Sequence, residues 1–296
     1  MDTHLTADPF TSVLRIDAPA VQSIPLVLAS PHSGRIYPAS FLAQSALDPL
    51  ALRRSEDSFV DELFAAAPAK GAPLLKALFP RAFIDVNRDA YELDPSMFEG
   101  ALPAFVMTDT PRVAAGLGTI ARQVASGAEI YRRKLTFAEA ERRIANLYRP
   151  YHRALRGLIE DTRARFPKSG CILLDCHSMP SIGGPGESDS GSERVDFVLG
   201  DCFGRTCAPA VTDAVERKLQ DLGYCVVRNM PYAGGFTTRH YGAPEKHVHA
   251  LQIEINRRLY MTEATHEKHD GFARLQQEMA GVLDSLAELL RAGLAT

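Results

Sequence analysis

Two short motifs place a histidine directly after an apolar run, a position typical of residues that bind a metal or take part in catalysis. His32 lies in PHSG after the run 24–30, and His177 lies in LDCHSMPS after the run 171–175. A catalytic zinc ion takes three nitrogen or oxygen ligands and keeps its fourth position open. Two histidines and one carboxylate complete such a set, so we predict a zinc site with His32 and His177 as two of its ligands.

The residues alone leave the third ligand open. Glu56, Asp57 and Asp61 in SEDSFVDEL are the nearest acidic candidates after the first histidine motif. At least two of the three are expected on a solvated helix face. The spacing His-x-x-Glu is absent, because Arg35 stands three residues after His32.

Polar residues also stand at or just after the end of two further apolar runs. Asn87 and Arg88 come after the run 82–86, and Glu254 stands near the end of the run 250–255, shortly before Arg257. In open α/β sheets the ligand crevice lies at the carboxyl ends of the strands. Four strands would therefore deliver their polar residues to one edge, where a carboxylate apart from the metal can shuttle a proton.

The elements that would position these residues alternate along the chain. We predict strands at 24–30, 82–86, 171–175, 195–199, 224–228 and 250–255, and helices at 49–67, 208–222 and 271–294. This order predicts an α/β fold, a single domain over 1–296 whose mostly parallel sheet is flanked by helices. The segment 131–168 is predicted to form an amphipathic helical pair that Pro150 kinks or interrupts, and 183–192 is predicted to form a flexible loop.

Composition narrows the function classes. The 296 residues carry a net charge of −3, which gives no general attraction to nucleic acid or to an anionic membrane. No apolar run approaches the roughly 20 residues of a membrane span, and the N-terminus has no signal-peptide pattern, so we expect a cytoplasmic location. Five cysteines form no disulfide framework, and Cys176 is expected to be buried and inert.

The segment 131–168 is the most basic part of the chain. We interpret its charge as a solvated helix face. Nucleic-acid binding is the alternative, although no aromatic residues interleave with the basic ones. A local field that attracts small anionic substrates is a third possibility.

Several motifs in a fixed order resemble those of one known family. They are PHSGRIYP, RAFIDVNR, TDTPRVAAGLGTIAR, RPYHRAL, LDCHSMPS, DFVLGD, NMPYAGGFTTRHYG and ALQIEINRRLYM. Over about residues 24–262 the chain resembles the N-formylglutamate amidohydrolase family. The resemblance implies a phosphorylase/hydrolase-like fold related to the zinc carboxypeptidases, with one zinc ion per chain. It also implies hydrolysis of N-formyl-L-glutamate to formate and glutamate, a late step of histidine breakdown.

The same resemblance implies a role for individual residues. His32, Asp57 and His177 would bind the metal, and Glu254 would shuttle the proton. Arg81 would stabilise the oxyanion. Asn87 and Arg88 would hold a substrate carboxylate, which the arginine fork can grip with two hydrogen bonds.

N-formylglutamate has two carboxylates, so a second cation is expected. Arg257 or Arg239 would supply it, and the alternative for Arg257 is a buried structural ion pair. Gly234 and Gly235, which follow Tyr232, would let backbone N–H groups approach the substrate, or they form a plain turn. We therefore predict substrate binding by Tyr232, Gly234, Gly235 and Arg257.

Two other functions stay open at this point. The same zinc machinery would also suit a deacylase or carboxypeptidase that acts on another N-acyl amino acid or peptide. A non-catalytic protein that binds zinc or a small ligand is the hypothesis from a different class. The sequence predicts no oligomeric state.

Overall fold

A computed structural model describes residues 13–185 and 187–292 of the chain. The main sheet is formed by β1 (Leu14–Asp17), β2 (Leu26–Ser30), β3 (Leu74–Ala77), β4 (Cys171–Met179), β5 (Phe197–Gly200), β6 (Val226–Arg228) and β7 (Val248–Asn256). A short ribbon pairs β8 (Met261–Thr262) with β9 (Glu267–Lys268).

The helices lie on both sides of this sheet and at its edges. They are α1 (Ala39–Gln44), α2 (Pro49–Arg53), α3 (Val60–Leu63), α4 (Pro111–Ala114), α5 (Phe137–Arg143), α6 (Arg149–Arg165), α7 (Pro209–Asp221), α8 (Phe236–Tyr241) and α9 (Gly271–Ala292). A π-helical turn, Ile144–Tyr148, joins α5 to α6 without a break. Short 3₁₀ turns occur at Pro68–Lys70, Pro95–Met97, Pro244–Lys246 and Arg257–Leu259.

The strands run in the order β1-β3-β2-β4-β7-β5-β6. The four central strands β3, β2, β4 and β7 are parallel to one another. At the edges, β1 pairs antiparallel with β3, β5 pairs antiparallel with β7, and β6 runs parallel to β5. This mixed, mostly parallel sheet with flanking helices confirms the predicted fold class.

The two faces of the sheet pack against different helices because side chains alternate along each strand. Leu251, Ile253 and Ile255 of β7 pack in one core cluster with α7 and α9. Leu173 of β4 and Ala250 of β7 face the opposite cluster, which includes α6. Every residue of the central strands β2, β4 and β7 is buried, as expected of parallel strands covered by helices on both faces.

One predicted strand is wrong. The segment 82–86 forms turns instead of a strand. The strand that pairs with β2 on this side of the sheet is β3, and neither β3 nor β1 was predicted from the sequence. The backbone of 82–86 pairs elsewhere, since Asp85 N donates to Thr119 O at 2.8 Å and Phe83 N donates to Pro80 O at 2.9 Å. The strands predicted at 24–30, 171–175, 195–199, 224–228 and 250–255 are confirmed with shifted ends.

The predicted helix 49–67 is split in two. Residues 54–59 interrupt it between α2 and α3, and Phe59 takes a left-handed backbone conformation with φ 66°. Within the interruption Asp57 N donates to His32 O at 3.0 Å. This tertiary hydrogen bond docks the interruption on the first histidine motif, which helical periodicity alone does not reveal.

The other predicted helices are confirmed with different ends. The pair at 131–168 begins only at Phe137, and Pro150 does not interrupt it, because it occupies the first turn of α6 directly after the π-helical turn. The helices predicted at 208–222 and 271–294 are α7 and α9, and residues 293 and 294 lie outside the described part of the chain.

A smaller prediction, the burial of Cys176, is also confirmed. Cys176 is fully buried, and burial raises the pKa of its thiol well above the ordinary value, as expected of an inert cysteine. Among residues 13–185 and 187–292, no helix combines the length and the apolar composition that crossing a bilayer requires.

Candidate active site

The side chains of His32, Asp57 and His177 converge at one point. His177 Nδ1 lies 3.1 Å from His32 Nδ1 and 3.0 Å from Asp57 Oδ2, and His32 Nδ1 lies 3.3 Å from the same oxygen. All three residues are buried. Within the described residues they form the one group of three metal-ligating side chains whose ligand atoms all lie within 4.8 Å of one another.

Each histidine is held on its other nitrogen by a second aspartate. His32 Nε2 lies 2.8 Å from Asp85 Oδ1, and His177 Nε2 lies 3.0 Å from Asp175 Oδ2. From these partners we assign the Nε2 protons to the hydrogen bonds with the carboxylates. Both Nδ1 atoms then carry lone pairs that point toward the shared oxygen of Asp57.

This donor set fits a metal ion. Two imidazole lone pairs and a carboxylate oxygen repel one another at 3.0–3.3 Å unless a proton or a cation lies among them. Zinc–ligand bonds of about 2.1 Å in a tetrahedron separate the ligands by roughly 3.4 Å, close to these distances. A carboxylate on the outer nitrogen of each histidine is the usual bracing of a metal-bound imidazole.

Strand register explains how part of the group is assembled. Asp175 and His177 lie two residues apart in β4, so their side chains share one face of the sheet. The parallel pairing of β4 with β7 sets His177 opposite Glu254 and Asp175 opposite Gln252. His177 and Glu254 are therefore neighbours within the strands, not residues that follow the strand ends.

The structure separates the three acidic candidates for the third ligand. Asp57 faces both histidines, whereas Glu56 accepts hydrogen bonds from Tyr37 and Ser58, and Asp61 lies 3.8 Å from Lys76 Nζ. The expectation that the two others lie on a solvated helix face is wrong for Glu56, which is buried among its partners. Although burial opposes it, the proximity of His177 and His32 holds the pKa of Asp57 well below its ordinary value.

Glu254 lies beside the histidines with an unusual pKa. Burial, with a smaller contribution from Asp57, raises the pKa of its carboxyl to about 7. Gln252 Nε2 donates to Glu254 Oε1 at 2.8 Å and fixes the orientation of the carboxyl. A carboxyl that exchanges its proton near neutral pH is suited to general acid–base chemistry.

Two guanidinium groups face the other oxygen of Asp57. Arg257 Nη2 donates to Asp57 Oδ1 at 3.1 Å, and Arg81 Nη1 lies 4.0 Å from it. Arg81 Nε also donates to Asp85 Oδ2 at 3.0 Å. Burial lowers the pKa of Arg81, but the charges of Asp85 and Asp57 outweigh this effect and raise it, so Arg81 stays charged beside the group.

The two other nitrogens of the Arg257 guanidinium also donate hydrogen bonds. Its Nε donates to Ser178 Oγ at 3.2 Å and its Nη1 to Arg54 O at 3.3 Å, and the residue is buried. These contacts correspond to the alternative of a buried structural ion pair. A substrate-binding role for Arg257 stays a prediction. Arg239 is exposed and donates to Gly234 O at 3.0 Å.

Asn87 and Arg88 lie next to the metal-ligating group. Asn87 Nδ2 lies 3.2 Å from His177 Nε2 and 3.4 Å from Asp175 Oδ2. Arg88 is buried, and it donates from Nε to Leu117 O and from Nη1 to Asn87 O, both at 2.8 Å. Burial lowers the pKa of Arg88 to about 10. Its Nη2 lies 3.5 Å from Asp85 Oδ2 and donates no hydrogen bond to the described residues, so it is available to a substrate.

The two glycines of the loop after β6 are explained by packing. A Cβ on Gly235 would stand 2.2 Å from Asn87 Nδ2, and Asn87 Oδ1 accepts a hydrogen bond from Thr237 N at 2.7 Å. Gly234 has φ 134°, and a Cβ there would meet Thr238 Oγ1 at 2.5 Å. The loop therefore packs tightly against Asn87 and α8, and the approach of its backbone N–H groups to a substrate stays a prediction.

Tyr232 connects the site to the loop 183–192. Its hydroxyl donates to Glu187 Oε1 at 2.7 Å, and the guanidinium of Arg194 lies 5.1 Å from the centre of its ring. Arg194 also binds both Glu187 and Asp189. The predicted loop thus has no helix and only isolated bridges in its described residues, and a buried arginine anchors it.

Most of the basic side chains in the segment 131–168 are exposed. Arg153, Arg156, Arg163 and Arg165 of α6 are exposed, as expected of a solvated helix face. A cavity of about 300 Å³ is lined in part by residues 132–134 of this segment and shares no residue with the metal-ligating group. Whether the segment contacts nucleic acid or attracts substrates stays an open prediction.

Sequence reasoning missed the two bracing aspartates. Asp175 stands in LDCH two residues before His177, and the two-residue period of a strand would have placed both on one face. Asp85 stands in RAFIDVNR, but its partner His32 is 53 residues away, so no local pattern indicates the contact. Gln252, the partner of Glu254, was also missed.

Comparisons with known proteins agree with the geometry. The model of the N-formylglutamate amidohydrolase family matches residues 24–261. This chain belongs to that family. An N-formylglutamate deformylase of Pseudomonas aeruginosa is 31% identical over 81% of this chain and 83% of its own length, and one of Pseudomonas putida is 29% identical over the same shares.

Solved structures extend the agreement to the fold. The crystal structure of an N-formylglutamate amidohydrolase from Ralstonia eutropha matches with a TM-score of 0.87 and 40% identity, covering 96% of this chain and all of the other. A protein of Agrobacterium tumefaciens shares the fold at 19% identity, with a TM-score of 0.67 and coverage of 95% and 98%. Family membership confirms the prediction of an enzyme that hydrolyses an amide bond.

Proposed function

We propose that this chain is a zinc-dependent hydrolase that converts N-formyl-L-glutamate to formate and glutamate. The observation that carries the proposal is the convergence of His32, Asp57 and His177, with a separate aspartate bracing each histidine. The names of the relatives, N-formylglutamate deformylase and amidohydrolase, support the substrate.

The ligand set would be His32 Nδ1, His177 Nδ1 and Asp57 Oδ2, with one zinc ion per chain. When bound, zinc supplies Lewis-acid polarisation of the formyl carbonyl and lowers the pKa of a water at the site. Asp85 and Asp175 keep both histidines in the tautomer that leaves Nδ1 free to bind.

Glu254 would take the proton of the attacking water and then deliver it to the nitrogen of the leaving glutamate. Its position opposite His177 and its pKa of about 7 support this double role, because the group can both accept and release a proton near neutral pH. Gln252 would hold the carboxyl in place by donating to Oε1.

Arg81 would stabilise the negative charge that develops on the formyl oxygen. It is fully charged, and its side chain keeps 27% of its surface exposed although two aspartates fix its orientation. A donor that is already oriented gains more from a developing charge than one that must reorganise during the reaction.

The substrate carboxylates would be held by Arg88 through its Nη2, with Arg257 or Arg239 as the second cation. Asn87 would support this edge of the site, and Tyr232 with the backbone at Gly234 and Gly235 would line it. Asp57, Asp85, Asp175 and the carboxylate of Glu254 together carry one negative charge more than Arg81, Arg88 and Arg257 offset. A divalent cation then makes the site positive, as a dianionic substrate requires.

Metal analysis and a substrate panel test the proposal. We expect one zinc ion per chain. We also expect a higher kcat/KM for N-formylglutamate than for N-formylglutamine, N-acetylaspartate, N-succinylglutamate or short peptides. A higher kcat/KM for another member would instead support the deacylase or carboxypeptidase alternative. Zinc binding without turnover of any member would support the non-catalytic alternative.

A matched pair of variants tests the role of Glu254. Glu254→Gln should lower kcat by about 10²- to 10⁴-fold and keep the zinc content of the wild type, since it removes only the proton acceptor. Glu92→Gln makes the same change at a buried glutamate that binds Thr110, and it should leave kcat unchanged. Full activity of Glu254→Gln would show that the assigned mechanism is wrong.

A further inference from the structure

The segment 81–88 carries much of the candidate site without the support of a strand ladder. Arg81, Asp85, Asn87 and Arg88 all belong to it, and its residues form turns. Three of its carbonyl groups, those of Phe83, Val86 and Arg88, accept hydrogen bonds from side chains instead. The position of the segment therefore depends on those donors.

All three donors come from the continuous helix of α5, the π-helical turn and α6. Arg143 Nη1 donates to Phe83 O at 3.1 Å. Tyr148 Oη donates to Arg88 O, and His152 Nε2 donates to Val86 O, both at 2.8 Å. The three donor side chains are buried.

The π-helical turn places the donors on one side of the helix. Arg143 and Tyr148 are five residues apart, a spacing that an α-helix turns well away from a common face but that a π-helical turn brings close to alignment. Tyr148 and His152 are four apart and align in the α-helix that follows. The π-helical turn thus brings the three donor side chains into line with the carbonyls of Phe83, Val86 and Arg88.

The donors are themselves held in place. The guanidinium of Arg143 lies 4.1 Å from the centre of the Phe83 ring and donates to Tyr131 Oη at 2.6 Å. His152 Nδ1 accepts a hydrogen bond from Tyr241 Oη at 2.9 Å. Burial lowers the pKa of His152 to about 4, so at neutral pH its single N–H is available to Val86 O.

We infer that Arg143, Tyr148 and His152 are positioning residues for the hydrolysis, acting through the backbone of segment 81–88. This inference rests on the proposed function for its effect on turnover. It also assigns a role to the motif RPYHRAL and to the one buried arginine of α5, neither of which the proposed mechanism uses.

Two neighbouring tyrosines provide a matched test. Tyr148→Phe removes the hydroxyl bound to Arg88 O, whereas Tyr151→Phe removes a buried hydroxyl that has no hydrogen-bond partner among the described residues. We expect Tyr148→Phe to lower kcat/KM about tenfold, mainly by raising KM, because Arg88 is assigned to the substrate. Tyr151→Phe should stay within twofold of the wild type. A general loss of folded enzyme would lower kcat and leave KM unchanged.

Variants of His152 provide a second test. His152→Leu removes the donor to Val86 O and should lower kcat/KM about tenfold, and His152→Gln, which keeps an N–H donor at a similar reach, should recover most of the loss. If Tyr148→Phe equals Tyr151→Phe, or if His152→Gln is no better than His152→Leu, the inference is wrong.

Hydrogen–deuterium exchange separates this inference from the proposed function. In Tyr148→Phe and His152→Leu, the protected amides of Asp85 and Asn87 should exchange at least threefold faster than in the wild type, and in Tyr151→Phe at an unchanged rate. Wild-type protein that fails to hydrolyse N-formylglutamate would overturn the proposed function alone. Unchanged exchange in both variants would overturn the positioning role, whatever the substrate.

Discussion

The aspartates that brace the histidines offer the sharpest prediction. Asp175→Asn keeps the size of the side chain but removes its charge. In the wild type, Asp175 Oδ2 lies 3.0 Å from His177 Nε2, while Oδ1 has no partner among the described residues. The aspartate is fully buried, so its carboxylate acts almost entirely on His177 and on the neighbouring Asn87.

The expected loss of zinc affinity follows from this geometry. An asparagine amide is neutral, and it can present an N–H group to His177 Nε2, which would then move the imidazole proton to the ligand atom Nδ1. Removal of such outer partners costs about 10- to 100-fold in metal affinity. That range corresponds to about 1.4–2.7 kcal/mol at 25 °C.

Competition with a coloured zinc chelator measures the affinity directly. Asp201→Asn is the matched control, because Asp201 is a buried aspartate that binds Thr212 and Asn229 and contacts neither histidine. We expect wild-type affinity for Asp201→Asn and the loss above for Asp175→Asn. An affinity of Asp175→Asn within twofold of the wild type would refute the bracing role.

Three further predictions concern single residues. The proposed role requires Glu254 as a carboxylate, and its pKa is about 7, so kcat/KM should fall tenfold per pH unit on the acid side, and a bound cation would move this limb below pH 7. A pH–rate profile flat down to pH 4 would contradict this role. Arg81→Lys keeps the charge but loses the fork that binds Asp85, so steady-state kinetics should show kcat about 100-fold lower; a loss below threefold would count against Arg81 as the oxyanion donor. His152 has a pKa of about 4 when folded against about 6.5 when unfolded, so the unfolded chain binds the proton first and stability falls as pH drops from about 6.5 to 4. Between pH 7 and 4.5 this contribution is about 2 kcal/mol, and urea unfolding of His152→Gln should lack it; an equal acid loss in both proteins would contradict the assignment.

The central strands were predictable because each is buried on both faces. Parallel strands under helices read as continuous apolar runs, and the runs that became β2, β4 and β7 have this character. Once these strands are known, their polar residues must lie near one edge. His32, His177 and Glu254 could therefore be proposed as one group from the sequence.

The segment 82–86 shows where such reasoning ends. Its apolar residues resemble a buried strand, and they are indeed buried. Its backbone, however, forms hydrogen bonds elsewhere: Asp85 N donates to Thr119 O, and the carbonyls of Phe83 and Val86 accept from side chains of a helix about 60 residues later in the chain. These contacts exist only in the folded protein, so no local pattern separates this segment from a strand.

The proposed third metal ligand, Asp57, shows the same limit. Helical periodicity runs through 49–67, and it predicts that most of the acidic residues there face solvent. The hydrogen bond from Asp57 N to His32 O breaks the helix and turns Asp57 toward the histidines. The resemblance to the family selected Asp57, whereas the residues alone did not distinguish it from Glu56 and Asp61.

The net charge of the chain says little about the charge at the site. The two carboxylate oxygens of Asp57 face different partners. Oδ2 faces the histidines, and Oδ1 faces Arg257 and Arg81. The cationic groups that would attract a dianion are thus held by the same aspartate that would bind the metal. A cation bound at Oδ2 withdraws charge from Asp57 and weakens its hold on both arginines. The charge of both arginines is then more available to a substrate. Metal binding and substrate binding should therefore reinforce each other, although the net charge of the whole chain is only −3.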